Sequence, residues 1–245
     1  MNPRLDAWID ALAARHLANL TRPELTRALR ALSSCYVERR GRLGEGAALE
    51  GAGKRAAFAL FYGPLHFITI GEILRGLGWH ERAVPLIHDL GCGTGVGGAA
   101  WALAAGEGAR VEGVDRSAWA AGEANWNYRQ LGIRGRARTG DLVLDFPRGG
   151  RSAVVLAYAV NELPDARRSQ LLDTIAAGTG PLLIVEPIAR RDRSWWPAWA
   201  SRLEAAGVTE QEWRFAATLP PLVREIARGA GLDPRELTAR TLARF

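Results

Sequence analysis

The densest chemical signal in the chain is the run His88-Asp89-Leu90-Gly91-Cys92-Gly93-Thr94-Gly95. It lies where a short apolar run ends and a helical stretch begins. Glycines lack a Cβ, so this backbone can turn tightly and approach a ligand closely. The free N–H groups of the following helix favour a carboxylate or a phosphate. Gly93, Gly95 and Gly98 match the G-x-G-x-x-G spacing of dinucleotide sites, which keeps a nicotinamide-dependent oxidoreductase open as a reading. Asp89 argues against it. A carboxylate two residues ahead of the first glycine repels a pyrophosphate and attracts an ammonium group. A ligand carrying both an ammonium and a carboxylate suits the acid and the helix start together.

S-adenosylmethionine carries both groups. The D-x-G-x-G-x-G pattern at residues 89–95 resembles motif I of class I methyltransferases. The resemblance implies that Asp89, Gly91, Cys92, Gly93, Thr94 and Gly95 line the cofactor. It continues through Val111-Glu112-Gly113-Val114-Asp115, where that family uses a strand-final acid to accept both ribose hydroxyls. A carboxylate suits the task because each oxygen can take an O–H donor. Arg116 follows directly and joins this cofactor set. The alternative for Asp115 is a helix cap ahead of Ser117. Asp141, with the apolar Leu142 beside it, matches the position where the family meets the adenine amino group; an ordinary turn cap is its alternative. Tyr158, Asn161 and Glu162 fall at motif IV, where methyl and acceptor meet, and Tyr158 also faces the cofactor there. The stretch is not the N-P-P-Y form used on adenine amino groups. Glu186-Pro187 ends the next strand, further along the same rim.

Cys92 could be read as a nucleophile, but small residues often fill this place in the family. No His/Cys cluster has zinc-ligand spacing, so no metal centre is expected. Such a transfer asks the protein to align the acceptor and exclude water, so a strong general base is not required. Tyr62 and His66 join the acceptor candidates if the N-terminal helices close over the site. A lone histidine in an apolar helix is otherwise a structural residue.

The elements that must position these groups follow from periodicity. Residues 84–90, 110–115, 153–158 and 181–186 read as buried parallel strands, with 134–139 a weaker one. Helical stretches at 96–105, 117–131 and 164–177 alternate with them, the pattern of a doubly wound sheet. Helices at 195–206 and 222–230 and strands at 212–217 and 237–242 complete the chain. The first eighty residues look helical. Asn2 and Pro3 suit a helix start, and Thr21 with Glu24 fits a capping box. Leu25, Leu29, Leu32 and Tyr36 form a stripe, and residues 41–53 read as a mobile connection. An apolar segment from Ala56 should break at Gly63-Pro64 and resume to Leu77. The expected fold is α/β: a Rossmann-like, doubly wound, mostly parallel sheet with an N-terminal helical extension. The division expected is a cap over 1–80 and a methyltransferase domain over 81–245.

Of the 245 residues, 48% are hydrophobic, enough for a full core, and Cys35 and Cys92 are the only cysteines. A disulfide framework is therefore not expected. No secretory signal or membrane-spanning stretch is evident, and a cytoplasmic protein is expected. The net charge is +6, with Lys54 the only lysine. Attraction to RNA is one reading; a general bias toward Arg, Ala and Gly is the other. The helical start, Asn161-Glu162-Leu163-Pro164 and Leu183-Ile184-Val185-Glu186-Pro187 also resemble methyltransferase-like proteins of the mitochondrial small ribosomal subunit and their bacterial relatives. That family's iron–sulfur cysteines are missing here. The methyl acceptor implied is RNA, with a small molecule or natural product as alternative, and no membrane partner. A non-catalytic RNA or ribosome assembly protein with a tryptophan-rich surface at Trp195, Trp196 and Trp199 is a further alternative. The oligomeric state is not legible.

Overall fold

The fold is described from a computed structural model, in which residues 3–38, 50–147, 152–188, 195–232 and 234–245 are described. Asn2, residues 41–49 of the expected connection, and the side chains of Cys35 and Tyr36 lie outside that set. The chain divides into two compact units: Met1–Ile68 with Ala216–Leu237, and Thr69–Phe215 with Thr238–Phe245.

The first unit is helical. Helix α1 (Pro3–His16) buries Trp8, Ile9 and Leu12 on one face. Helix α2 (Arg22–Glu38) opens on the capping box: Glu24 Oε2 accepts from the Thr21 backbone N–H at 2.8 Å and from its hydroxyl at 2.7 Å. Leu25, Leu29 and Leu32 are fully buried, as their spacing predicts. Helix α3 (Ala52–Ala57) leads through a π-helical turn over Phe58–Tyr62 into α4 (Gly63–Gly76), which from Thr69 on belongs to the second unit.

No break occurs at Gly63-Pro64. Proline lacks an N–H and crowds the carbonyl of the preceding turn, and the wider π turn ahead of it accommodates both defects. The helical run Ala52–Gly76 is thereby 25 residues long. It is long and apolar enough to cross a membrane by length and composition, contrary to the sequence expectation, though more than half of its most apolar stretch is buried inside the protein. Helix α9 (Pro221–Gly229), late in the sequence, also belongs to this unit. Arg30 ties α2 to its end by donating to the carbonyl of Gly229 at 2.6 Å.

The second unit is a seven-stranded sheet of order β3-β2-β1-β4-β5-β7-β6. Its strands are β1 (Leu86–Leu90), β2 (Arg110–Asp115), β3 (Arg134–Thr139), β4 (Ala153–Ala157), β5 (Leu182–Glu186), β6 (Thr209–Ala216) and β7 (Glu236–Arg244). The pairs β1–β2, β1–β4, β2–β3 and β4–β5 are parallel, and β7 runs antiparallel to β5. Helices α5 (Val96–Ala105), α6 (Ala118–Gln130), α7 (Asp165–Ala176) and α8 (Trp196–Glu204) provide the connections. This is the Rossmann-like, mostly parallel sheet that the alternation of runs predicts.

Trp195, Trp196 and Trp199 belong to the sheet's core, at 7%, 2% and 3% exposure, packed with Leu156, Val160 and Leu203. Trp196 lies beneath the Arg240 guanidinium at 4.1 Å. They form no tryptophan-rich partner surface.

Strand order reverses between β1 and β4. In such sheets ligands bind outside the carboxyl ends of the strands, at this reversal. The segments that emerge there are Gly91–Gly95 after β1, Arg116 after β2 and Tyr158–Glu162 after β4.

Candidate cofactor and acceptor site

The glycine loop is built from its own hydrogen bonds. The N–H groups of Gly91 and Cys92 both donate to the Val114 carbonyl, and that of Gly95 to the Cys92 carbonyl. Gly93 N–H donates to Asp115 Oδ2 at 2.8 Å, and Gly98 N–H to Asp89 Oδ2 at 2.7 Å. These five amides are therefore held by the protein and are not a row open to a ligand. The amides of Thr94, Val96 and Gly97 have no acceptor among the described residues. They are the donors left at the start of α5.

Gly95 has φ +78°, and a Cβ there would lie 2.8 Å from both Ala124 Cβ and Tyr128 Cε1. Backbone and packing both demand glycine at this position. Gly98 serves a different end: a Cβ would meet Asp89 Oδ2 at 2.9 Å, so its absence lets the carboxylate reach the amide.

Asp89 is 1% exposed and lies beneath the loop. Burial lifts its carboxyl to about 7; the Gly98 N–H opposes the shift and the charge of Asp115 adds to it. Oδ1 has no donor among the described residues. Thr94 Oγ1 is also buried without a partner. Both are polar atoms for which a zwitterionic tail supplies what is missing.

Asp115 accepts from Gly93 N–H with Oδ2 and from Ser117 N–H with Oδ1, each at 2.8 Å. The α6 cap is instead Ser117, whose Oγ accepts from Ala120 N–H at 3.3 Å. Each Asp115 oxygen keeps a lone pair for a hydroxyl. Arg116 pairs with Glu162 at 2.9 Å and so links the ends of β2 and β4 across β1. Burial raises the Glu162 carboxyl to about 7, against the lowering effect of Arg116 and with a further push from Asp115.

Asp141 caps the turn after β3: Oδ1 accepts from the N–H groups of Val143 at 2.9 Å and Leu144 at 3.0 Å, and from Arg167. Burial acts to raise its carboxyl, but the two amides and Arg167 together hold it below the usual carboxylate range. Leu142 reaches toward Gly91, where a Cβ would meet its Cδ2 at 3.1 Å. Cys92 is buried, and burial together with Asp89 and Asp115 pushes its thiol well above the ordinary value. Such a thiol is no nucleophile.

Tyr158 has φ +59°, a left-handed backbone that costs about 1–3 kcal/mol for a non-glycine residue. Its N–H donates to the Val185 carbonyl at 2.8 Å, and its hydroxyl bonds to Thr69. The Asn161 amide is committed at both ends: Nδ2 donates to Glu186 Oε2, and Oδ1 accepts from Trp195 Nε1 at 3.0 Å. Asn161 is therefore a positioning residue, and Glu162, whose side chain is 30% exposed, lies beside it at this rim.

Sequence reasoning missed the weight of Glu186. It is fully buried and accepts from Val160 N–H at 3.0 Å and Asn161 N–H at 3.2 Å. Burial raises its carboxyl to about 8, against those donors and Arg240 on β7. Tyr62 and His66 lie in the helical unit, where each packs against the other and against Phe58. Burial lowers the His66 imidazole to about 3, so it is neutral.

A strand-loop-helix with two acids, residual amides at the helix start and a rim acid at the strand reversal is the arrangement that the resemblance to class I methyltransferases leads one to expect. The model of the family described as a methyltransferase domain matches residues 87–181. Those residues resemble a methyltransferase domain, for which the sequence motifs lead one to expect S-adenosylmethionine as cofactor. Three solved structures show the same fold. Mitomycin 7-O-methyltransferase MmcR is 18% identical, over 97% of this chain and 72% of its own, with a TM-score of 0.54. An O-methyltransferase family protein from Burkholderia thailandensis is 15% identical, over 89% of this chain and 72% of its own, at 0.57. Magnesium protoporphyrin IX methyltransferase (ChlM) from Synechocystis PCC 6803, with bound S-adenosylmethionine, is 15% identical, over 92% and 98%, at 0.50. Among curated proteins nothing matches.

Proposed function

We propose that this methyltransferase acts on RNA, with the acceptor held at the rim after β4. When bound, S-adenosylmethionine supplies an activated methyl group. Asp115 grips its ribose, Asp89 faces its ammonium, and the amides of Thr94, Val96 and Gly97 take its carboxylate. Asp141 Oδ2 is left for the adenine amino group. Glu162, with its carboxyl near neutrality, takes the proton that a methylated amino or hydroxyl group sheds. Arg116 holds Glu162 in place, and the Glu186–Asn161–Trp195 network fixes the turn that carries it.

The observation behind the RNA reading is the net charge of +6, from 32 Lys and Arg against 26 Asp and Glu. A small organic acceptor is the second reading. It is favoured by likeness to MmcR, which extends over nearly the whole chain, helices included. The test is incubation with methyl-labelled cofactor and separate cellular fractions of RNA and of extractable metabolites. Label in RNA supports the first reading; label confined to the metabolites replaces it with the second.

A further inference from the structure

Resting on the RNA reading, we infer that the arginine-bearing face of β3 and β2 is the docking surface for that RNA's phosphate backbone. Arg134, Arg136 and Arg138 occupy alternate positions of the edge strand and are all exposed. Side chains two apart on a strand point to one face, about 7 Å from one another. That is the scale of successive phosphates along an extended single strand. The intervening residues turn the other way, onto α6: Ala137 is buried, and a Cβ at Gly135 would strike the Tyr128 ring at 2.6 Å. On β2, Arg110 stands in register with Arg134 on the same face, 57% exposed.

The partners on this face are few. Arg138 pairs with Asp145 at 2.7 Å, and Arg110 with Glu112 at 3.0 Å. Arg134 donates to the Gly108 carbonyl at 2.7 Å. Arg136, between them, has no partner among the described residues. Four guanidiniums thus face two carboxylates. His88 reaches Glu112 at 3.8 Å, and burial lowers its imidazole, so it adds no charge.

The chemistry favours a phosphate chain over other partners. Guanidinium forks bind phosphate bidentately. Leu144, 68% exposed and next to the Arg138 partner Asp145, is a single apolar side chain and not the apolar cluster that protein partners or a bilayer require. Strand addition at Ala137 is blocked, because Asn125 already donates to its carbonyl and accepts from its N–H, both at 2.8 Å. Strand β3 runs parallel to its neighbours, so Arg138 lies at the same rim as the glycine loop and Glu162. An RNA strand laid along the three arginines runs toward the reacting end.

The test uses the full chain and a labelled single-stranded oligoribonucleotide, with anisotropy read across a salt series. The variants are Arg134→Gln/Arg136→Gln/Arg138→Gln and, as an equal-charge control, Arg22→Gln/Arg75→Gln/Arg202→Gln. The strip variant should bind at least about tenfold more weakly, with a log–log salt slope shallower by about 2, near 0.7 per lost contact. The control should stay near wild type. Arg136→Gln alone breaks no bond in the fold and should flatten the slope by about 0.7. Calorimetry with S-adenosylmethionine checks that each variant is folded. Equal losses in strip and control variants, or no loss in either, overturn the surface and leave the RNA reading standing. Wild-type chain that binds no RNA overturns both.

Discussion

Asp115 is the most economical place to break cofactor binding. Its two oxygens each hold one backbone amide at 2.8 Å, from Gly93 and Ser117. Each also has one lone pair to offer a ribose hydroxyl. A hydrogen bond to a charged group is worth about 1.5–3 kcal/mol, and an acid that is only part-buried calls for the lower figure. Two lost bonds then amount to about 3 kcal/mol, or about 100-fold in affinity at 1.4 kcal/mol per decade. Asp115→Ala should therefore raise the Kd for S-adenosylmethionine by about 100-fold, and by more if the Gly93 amide leaves its place.

Asp115→Asn separates this account from a simple loss of charge. An amide has one acceptor oxygen and one NH2 group. Whichever way it is turned, the NH2 meets the N–H of Gly93 or of Ser117, donor against donor. The asparagine variant should thus bind nearly as poorly as the alanine variant. Titration calorimetry with S-adenosylmethionine, with thermal melts to confirm folding, gives the answer. An asparagine variant within about threefold of wild type would refute the reasoning, because the ribose would then not depend on this carboxylate.

Further outcomes follow from the same geometry. Asp89 must be ionised to hold an ammonium, and its carboxyl lies at about 7. Affinity for S-adenosylmethionine should therefore fall as pH drops below that point, by up to about tenfold per unit. Asp89→Asn should bind weakly and without this slope; a flat wild-type profile would remove the ammonium contact. Gly95→Ala places a Cβ 2.8 Å from Ala124 and Tyr128 at φ +78°. It should lose about 1–3 kcal/mol from backbone strain alone in urea unfolding, together with cofactor binding. Glu162, near 7, acts as a base only when ionised, so turnover should decline on the acidic side of neutrality. Glu162→Gln should lower kcat by about 100-fold or more and abolish that limb, with cofactor affinity kept; an unchanged limb would assign the titration to another group.

The sheet and its order of elements were legible because buried parallel strands and amphipathic helices differ in period. Residues 96–105, 110–115 and 134–139 fall within the elements that the pattern predicts. The Thr21–Glu24 box was legible for a local reason: both partners lie within one turn. Pro64 was not, because a π turn ahead of a proline leaves no mark in an apolar sequence. Nor was the fate of the loop amides. Residue types show that Gly93 and Gly98 have N–H groups, but only the fold shows that Asp115 and Asp89 take them.

Glu186 marks a place where the sequence held more than its motif reading extracted. The run Leu182–Glu186 is buried at every position. An acid at the end of such a strand cannot stay buried without donors, since an uncompensated carboxylate there costs several kcal/mol. The donors must come from what is adjacent at that rim, and β4 ends beside it. Val160 and Asn161 supply three of them, and Trp195 completes the Asn161 amide. Tyr158, in its left-handed backbone, is clamped between this network and the carbonyl of Val185. The strain at Tyr158 and the buried acid at Glu186 are thus two parts of one arrangement. The acid on β5 holds the β4 turn in the conformation that presents Glu162 at the rim.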